Sequence, residues 1–213
     1  MSESLPSVYL ARHGETAWSL SGQHTGLTDL PLTERGERNA RALGERLHGL
    51  TFAKVLTSPL QRATRTCELA GFRAVAEVDR DLIEWNYGQY EGRRSAEILA
   101  ERPDWQLFRD GCPGGETPAQ VGARADRVVS KIRALASPLR SEWATHSCVA
   151  PGDVLLFSSG HFLRVLAARW LGLEPAIGKC FFLSTASLSA LGYEHDWPVI
   201  RLWNDTQHVD KLI

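Results

Sequence analysis

A chain of 213 residues, 43% of them hydrophobic, is long enough to bury a full core as one domain or as one domain with a cap. Its formal net charge of -1 excludes a general pull toward nucleic acid or membrane, so any anion site has to be local. Cys67, Cys112, Cys148 and Cys180 are scattered without a CxxC pair, which argues for reduced thiols; the histidines show no HxH or HExxH spacing, so no metal or cofactor is expected.

The first six residues, Met1 to Pro6, hold neither a basic nor a long apolar region, and no later run is long enough to span a bilayer. The expectation is a soluble, cytoplasmic protein. Val8-Tyr9-Leu10 then reads as a buried strand ending in Ala11-Arg12-His13-Gly14-Glu15-Thr16. Gly14 is expected to give the turn a backbone conformation other residues resist, so that His13 points into a crevice. Arg12 beside it disfavours the protonated imidazole and attracts an anion, a pairing suited to attack on phosphorus. The same residues also fit a satisfied strand-end histidine beside a surface arginine.

Residues 17–32 form a polar, glycine-containing stretch expected to be a long functional loop. Thr33 caps a helix from Glu34, with Ala40, Leu43, Leu47 and Leu50 on one stripe. Lys54–Thr57 reads as a strand. Ser58-Pro59-Leu60-Gln61 has the form of a capping box with proline at the first helical position, and Gly71 closes that helix. Arg62 and Arg65 lie in its first turns, where an arginine can reach an anion over the strand ends or simply be solvated. Ala74–Val78 is a short strand.

Residues 81–92 combine three carboxylates, three aromatics and two glycines, which suits a structured loop shielding a site. A carboxyl group against Trp85 is expected to have a raised pKa, as a general acid requires, although Glu84 also fits a simple ion pair. Glu91 reads as structural. Between Arg93 and Glu116 the composition breaks into short pieces, including a helix over Ser95–Glu101, and reads as a small cap; Arg93, Arg94 and Arg109 are candidates for a second anionic group or plain surface charges. Cys112 is expected to be packed. Thr117-Pro118-Ala119-Gln120 opens a helix to about Leu135, and the segment 136–152 has no assignable role. Asp153–Phe157 is an uninterrupted apolar strand, and Ser158-Ser159-Gly160-His161 leads from it into a helix over Phe162–Leu171, whose N-terminus reads as a second anion site. Thr185–Tyr193 and Val199–Asn204 are closing strands. This order predicts an α/β sandwich with a mostly parallel sheet and ligands at the carboxyl ends of its strands.

The strings RHGE, SGQHTGLTDLPLT, TSPLQRATRT, EWNYGQYEG and RDGC followed by GGET, with the strand-Ser-Gly-His turn, cover almost the whole chain. Together they resemble the histidine phosphatase superfamily, also called phosphoglycerate mutase-like. The resemblance implies a three-layer α/β/α sandwich in a single domain, residues 1–213, with a cap-like insertion at about 85–116. It implies that His13 accepts a phosphoryl group, that Arg12 and Arg62 clamp it and that Glu84 donates the proton. It also implies that Ser19, Thr25 and Gly26 help line the pocket, where mutases commonly have asparagine at position 19. Gln23, Tyr87, Arg109, Gly160 and Phe162 are further substrate-binding candidates. The family's fourth signature has histidine before the glycine, where this chain has Ser159. A serine brings no charge, so His161 is a candidate to reach the same oxygens, or else caps its own helix.

The branch resembled contains a sedoheptulose bisphosphatase and broad acid phosphatases, which implies a small phosphorylated metabolite as substrate, with no metal or cofactor. A mutase, or a weakened domain that binds phosphorylated ligands, are the alternatives. The oligomeric state is left open.

Overall fold

In the computed structural model, which describes residues 5–136 and 152–210, the chain runs β1 (Val8–Arg12), α1 (Ala17–Ser21), α2 (Glu34–Leu47), β2 (Lys54–Thr57), α3 (Gln61–Leu69) and β3 (Ala76–Val78). It continues with α4 (Ser95–Glu101), α5 (Leu107–Asp110), α6 (Pro118–Ala136), β4 (Val154–Ser158), α7 (Gly160–Trp170), β5 (Leu188–Glu194), β6 (Trp197–Asp205) and α8 (Gln207–Asp210). The strands form one sheet in the order β3-β2-β4-β1-β5-β6. β1, β2, β3 and β4 pair in parallel, whereas β5 pairs antiparallel with both β1 and β6. β6 lies at the edge; β5 is interior.

The strand period of two sets the layers. Val8 and Leu10 of β1, with Val154 and Leu156 of β4, join one apolar cluster with Val128 and Ile132 of α6 and Leu163 and Leu166 of α7. Ala11, Leu155 and Phe157 join the opposite cluster with Leu43 and Leu47 of α2 and Cys67 of α3. Helices therefore cover both faces, which is why β4 is fully buried and reads as a continuous apolar run. The molecule is the expected α/β sandwich, with the two antiparallel strands added beside β1. No helix among the described residues is long and apolar enough to cross a membrane.

Several local expectations change. α3 starts at Gln61 with Leu60 as its N-cap and no capping side chain. The Ser58 capping box is not made: Ser58 Oγ is 3.4 Å from the Leu60 N–H, while Asp29 Oδ1 accepts the Gln61 N–H at 2.7 Å and the Gln61 side chain donates to the Asp29 carbonyl. The C-terminal end is as expected: Gly71 has φ +93°, and the Gly71 and Phe72 N–H groups bond the Glu68 and Cys67 carbonyls. α2 stops at Leu47, leaving Leu50 exposed. The stretch taken as pure loop contains α1, capped by Thr16 and Ser19. Gly14 is absent from the positive-φ residues; a Cβ there would lie 2.5 Å from the Gly36 carbonyl oxygen, so the close approach of α2 requires the glycine. Most of the unassigned segment 136–152 lies outside the described residues.

Candidate active site

β1 delivers Arg12 and His13 to the carboxyl edge of the sheet between β4 and β5. The His13 backbone is pinned from both sides, its N–H on the Ser158 carbonyl at 2.9 Å and its carbonyl accepting the Ala186 N–H at 2.9 Å. Ala186 does this from a left-handed conformation, φ 55°, that a residue with a Cβ rarely adopts. The imidazole Nδ1 lies 2.7 Å from the Gly14 carbonyl oxygen. A carbonyl only accepts, so Nδ1 carries the proton and Nε2 keeps its lone pair. Burial holds the His13 pKa well below the usual histidine value, and the Arg62 and Arg12 charges push it the same way. The ring is a neutral base with its free nitrogen opposite Gly14.

Arg12 reaches back across the end of the sheet, its Nη1 donating to the Leu183 carbonyl at 2.5 Å. Its Nε is buried without a partner among the described residues. Gly160 makes room for this guanidinium, since a Cβ at that position would lie 3.1 Å from both Cζ and Nε of Arg12.

Glu84 is buried, 4% exposed, and carries the chemistry expected of a residue facing a helix N-terminus. Its Oε1 accepts the N–H groups of Trp85 at 2.8 Å and Phe162 at 2.7 Å, and its Oε2 accepts that of His161 at 2.9 Å. The acceptor at the start of α7 is thus a side chain of the protein itself. The loop bearing Glu84 is held by Arg124 of α6, which donates to the Asp81, Ile83 and Glu84 carbonyls and pairs with Glu116. The Ser158 hydroxyl adds a 2.6 Å bond to the Leu82 carbonyl.

Arg62 is fully buried, and its guanidinium holds the loop before α2. Nη1 donates to the Thr28 carbonyl at 3.0 Å, and Nη2 to those of Thr25 and Gly26 at 3.0 and 2.8 Å, while Nε has no partner among the described residues. From the far side Glu91 Oε1 accepts the Gly26 and Thr28 N–H groups at 2.8 and 3.1 Å, a structural part as expected, played on the 25–28 loop. Arg65 pairs with Glu37 and Glu68 on the surface.

These elements enclose a cavity of about 220 Å³ lined by Arg12, His13, Glu84, Gly160, His161 and Arg164 on one side and by residues of the 19–25 loop on the other. A family model, that of the histidine phosphatase superfamily (branch 1), matches residues 8–206. The chain belongs to that superfamily. An acid phosphatase of Mycobacterium tuberculosis is 43% identical over 190 residues, covering 88% of this chain and 87% of that one. A sedoheptulose 1,7-bisphosphatase of Saccharomyces cerevisiae is 40% identical over 194 residues, covering 79% and 68%. A solved structure from Mycobacterium tuberculosis superposes with a TM-score of 0.84 at 38% identity, over 93% of this chain and 97% of that one.

In this histidine phosphatase family member the residues singled out from sequence do not all reach the cavity. Ser19, Gln23, Thr25 and Tyr87 line it. The Ser19 hydroxyl is engaged with Thr16, and the Gln23 side chain bonds the Gly92 carbonyl. Gly26 sits behind the lining, where a Cβ would lie 2.5 Å from the Trp85 carbonyl oxygen. Phe162 offers only its N–H, to Glu84; its ring is in the core under Arg124. Arg109 lies outside the cavity, paired with Asp110 and with the Asp104 carbonyl. Arg93 likewise pairs with Glu101. Ser159 is fully buried, does not line the cavity, and its hydroxyl has no partner among the described residues. Cys112 is packed, and burial pushes its thiol up to about 12.

Five lining residues escape the sequence reading: Gly22, His24, Ser95, Arg164 and Leu183. Arg164 lies one helical turn beyond His161 on α7, so the i, i+3 rule gives its side. Its Nε and Nη2 donate to the Gly178 and Lys179 carbonyls, and its guanidinium stacks over Phe108 at 4.6 Å. His24 packs its ring 4.7 Å from that of Tyr87 and has no motif to mark it.

Proposed function

We propose that this protein is a metal-independent phosphoric monoester hydrolase that cleaves small phosphorylated metabolites, sugar phosphates or bisphosphates, through a phosphohistidine at His13. The observation that carries the reading is the 2.7 Å bond from Nδ1 to the Gly14 carbonyl, which leaves Nε2 as the nucleophilic atom of a ring kept neutral by burial. Nε2 attacks phosphorus and the P–O bond to the alcohol breaks. Glu84 supplies the proton that the leaving oxygen takes up. Three of the roughly four acceptor positions of its carboxylate are filled by backbone N–H groups, so the remaining position on Oε2 is the one that handles that proton. Water then attacks the phosphohistidine, Glu84 takes a proton from it, and phosphate leaves with His13 restored. Arg12, with its unpartnered Nε, faces the charge that builds on the phosphoryl oxygens. Arg62 acts chiefly by holding the loop that walls the pocket, and His161 is a further hydrogen-bonding group at the cavity.

Both relatives named above carry phosphatase names, which supports the reaction class, and the yeast relative's name supports a sugar bisphosphate. Phosphate release from a panel of sugar mono- and bisphosphates and an aryl phosphate, with and without EDTA, tests it. Release that persists in EDTA and vanishes in His13→Ala supports the proposal, and no release from any compound overturns it. Ser159 favours one second reading, a domain that binds phosphorylated ligands with little turnover. Saturable sugar phosphate binding without release would select it.

A further inference from the structure

Ser159 leaves the cavity without the imidazole that the superfamily's signature places before the glycine, and its own hydroxyl is buried behind the lining. His161 is one of three imidazoles, with His13 and His24, that line the cavity. Its backbone is fixed by the bond from its N–H to Glu84 Oε2 at 2.9 Å. Its ring is held by Phe108, edge-on at 5.4 Å between centroids, and by a 2.5 Å contact between Nδ1 and the Tyr87 hydroxyl.

That contact settles where the ring proton sits. Tyr87 is fully buried, and its hydroxyl has no other partner among the described residues. Burial pushes the phenol well above its usual pKa, with Glu84 adding to the effect, so the hydroxyl keeps its proton. Between a phenol and a neutral imidazole, the phenol is the stronger donor and the imidazole nitrogen the stronger acceptor. Nδ1 therefore accepts, and the ring hydrogen belongs on Nε2, which makes no hydrogen bond to the described residues. His13 is arranged in the opposite sense, because its Nδ1 faces a carbonyl and must donate.

We propose that Tyr87 is a positioning residue that fixes His161 as the Nε2–H tautomer, so that His13 and His161 face the same cavity in opposite tautomers, His13 with a bare Nε2 to attack phosphorus and His161 with an Nε2–H to donate to a phosphoryl oxygen. The second half of this rests on the phosphatase reading; the tautomer assignment does not. In this arrangement Tyr87 recovers for the site part of the donor capacity that a histidine at 159 would bring.

Two-bond proton–nitrogen correlation spectra of the histidine rings in the ¹⁵N-labelled full chain read both tautomers without any turnover. The expected pattern is Nδ1–H for His13 and Nε2–H for His161, the latter assigned by its loss in His161→Gln. Added inorganic phosphate is expected to shift the His161 Nε2–H signal, and Tyr87→Phe to convert His161 to a mixture of tautomers and abolish that shift. Tyr87→Phe is further expected to lower kcat on sugar phosphates by roughly tenfold or more with little change in KM, as befits loss of alignment of one transition-state donor. In the His161→Gln background the same substitution is expected to add nothing. An Nδ1–H pattern for His161 in the intact protein, a Tyr87→Phe spectrum identical to the parent, or no response to phosphate overturns the proposal. Absent turnover with the expected tautomers and phosphate shift counts against the hydrolase reading alone.

Discussion

Replacing Glu84 with glutamine separates the structural from the chemical duty of one carboxylate. Glutamine keeps one oxygen, able to take the Oε1 position and its bonds from the Trp85 and Phe162 N–H groups. The amide NH2 then faces the His161 N–H that Oε2 accepts at 2.9 Å. Losing that hydrogen bond, with the His161 N–H left facing a donor, costs about 1–3 kcal/mol. At about 2–4 °C per kcal/mol for a chain of this size, the midpoint of thermal unfolding is expected to fall by about 2–12 °C. Activity is read on two esters below that temperature. A sugar phosphate needs its leaving alkoxide protonated, so its kcat is expected to fall by about 10²–10⁴, whereas an aryl phosphate, with a good leaving group, is expected to lose far less. A melting temperature unchanged within about 1 °C would refute the hydrogen-bond reasoning. Equal losses on both esters would refute Glu84 as the proton donor.

Gly14→Ala puts a Cβ 2.5 Å from the Gly36 carbonyl oxygen, and the displacement of α2 is expected to cost about 1–3 kcal/mol, read as a lower denaturation midpoint. Gly160→Ala needs only a shift of the Arg12 guanidinium by a few tenths of an ångström, so the fold is expected to hold while the affinity for inorganic phosphate drops. His13, His24 and His161 all have pKa values below the usual 6.5, with burial the largest cause in each. The unfolded chain takes up these protons near 6.5 and the folded chain does not, so stability is expected to fall as pH drops below that value. Each group contributes up to about 1.4 kcal/mol per pH unit until its folded pKa is reached. His161→Asn is expected to make the slope of stability against pH shallower in that range, and an unchanged slope would contradict the assignment. Arg62→Lys cannot span the Thr25, Gly26 and Thr28 carbonyls with one ammonium, and both stability and kcat/KM are expected to fall.

The layers were legible because they rest on local patterns: the unbroken Asp153–Phe157 run, the α2 stripe of Ala40, Leu43 and Leu47, and the Thr33 cap all appear where the sequence places them. The start of α3 was not, because the partner that takes both the Gln61 N–H and the Gln61 side chain is Asp29, 32 positions away in the chain. α1 escaped notice because it buries none of its residues and so has no stripe to detect. At the site, His13, Arg12 and Glu84 were legible as a set because short motifs carry them. Their duties were not, because those depend on partners distant in sequence: Glu84 on the N–H groups of α7, Arg62 on the 25–28 loop, Tyr87 on His161. Arg109 read as a pocket cation because its sequence context hides that Asp110 already pairs with it.

The most direct test of the account is to trap the covalent intermediate. Rapid alkaline quench of the enzyme during turnover of a sugar phosphate, followed by peptide mass analysis, is expected to place one acid-labile phosphoryl group on the peptide containing His13. That group is expected to be absent from His13→Ala. Turnover in which no phosphoryl group is found on His13, or in which it is found on another residue, would contradict the account.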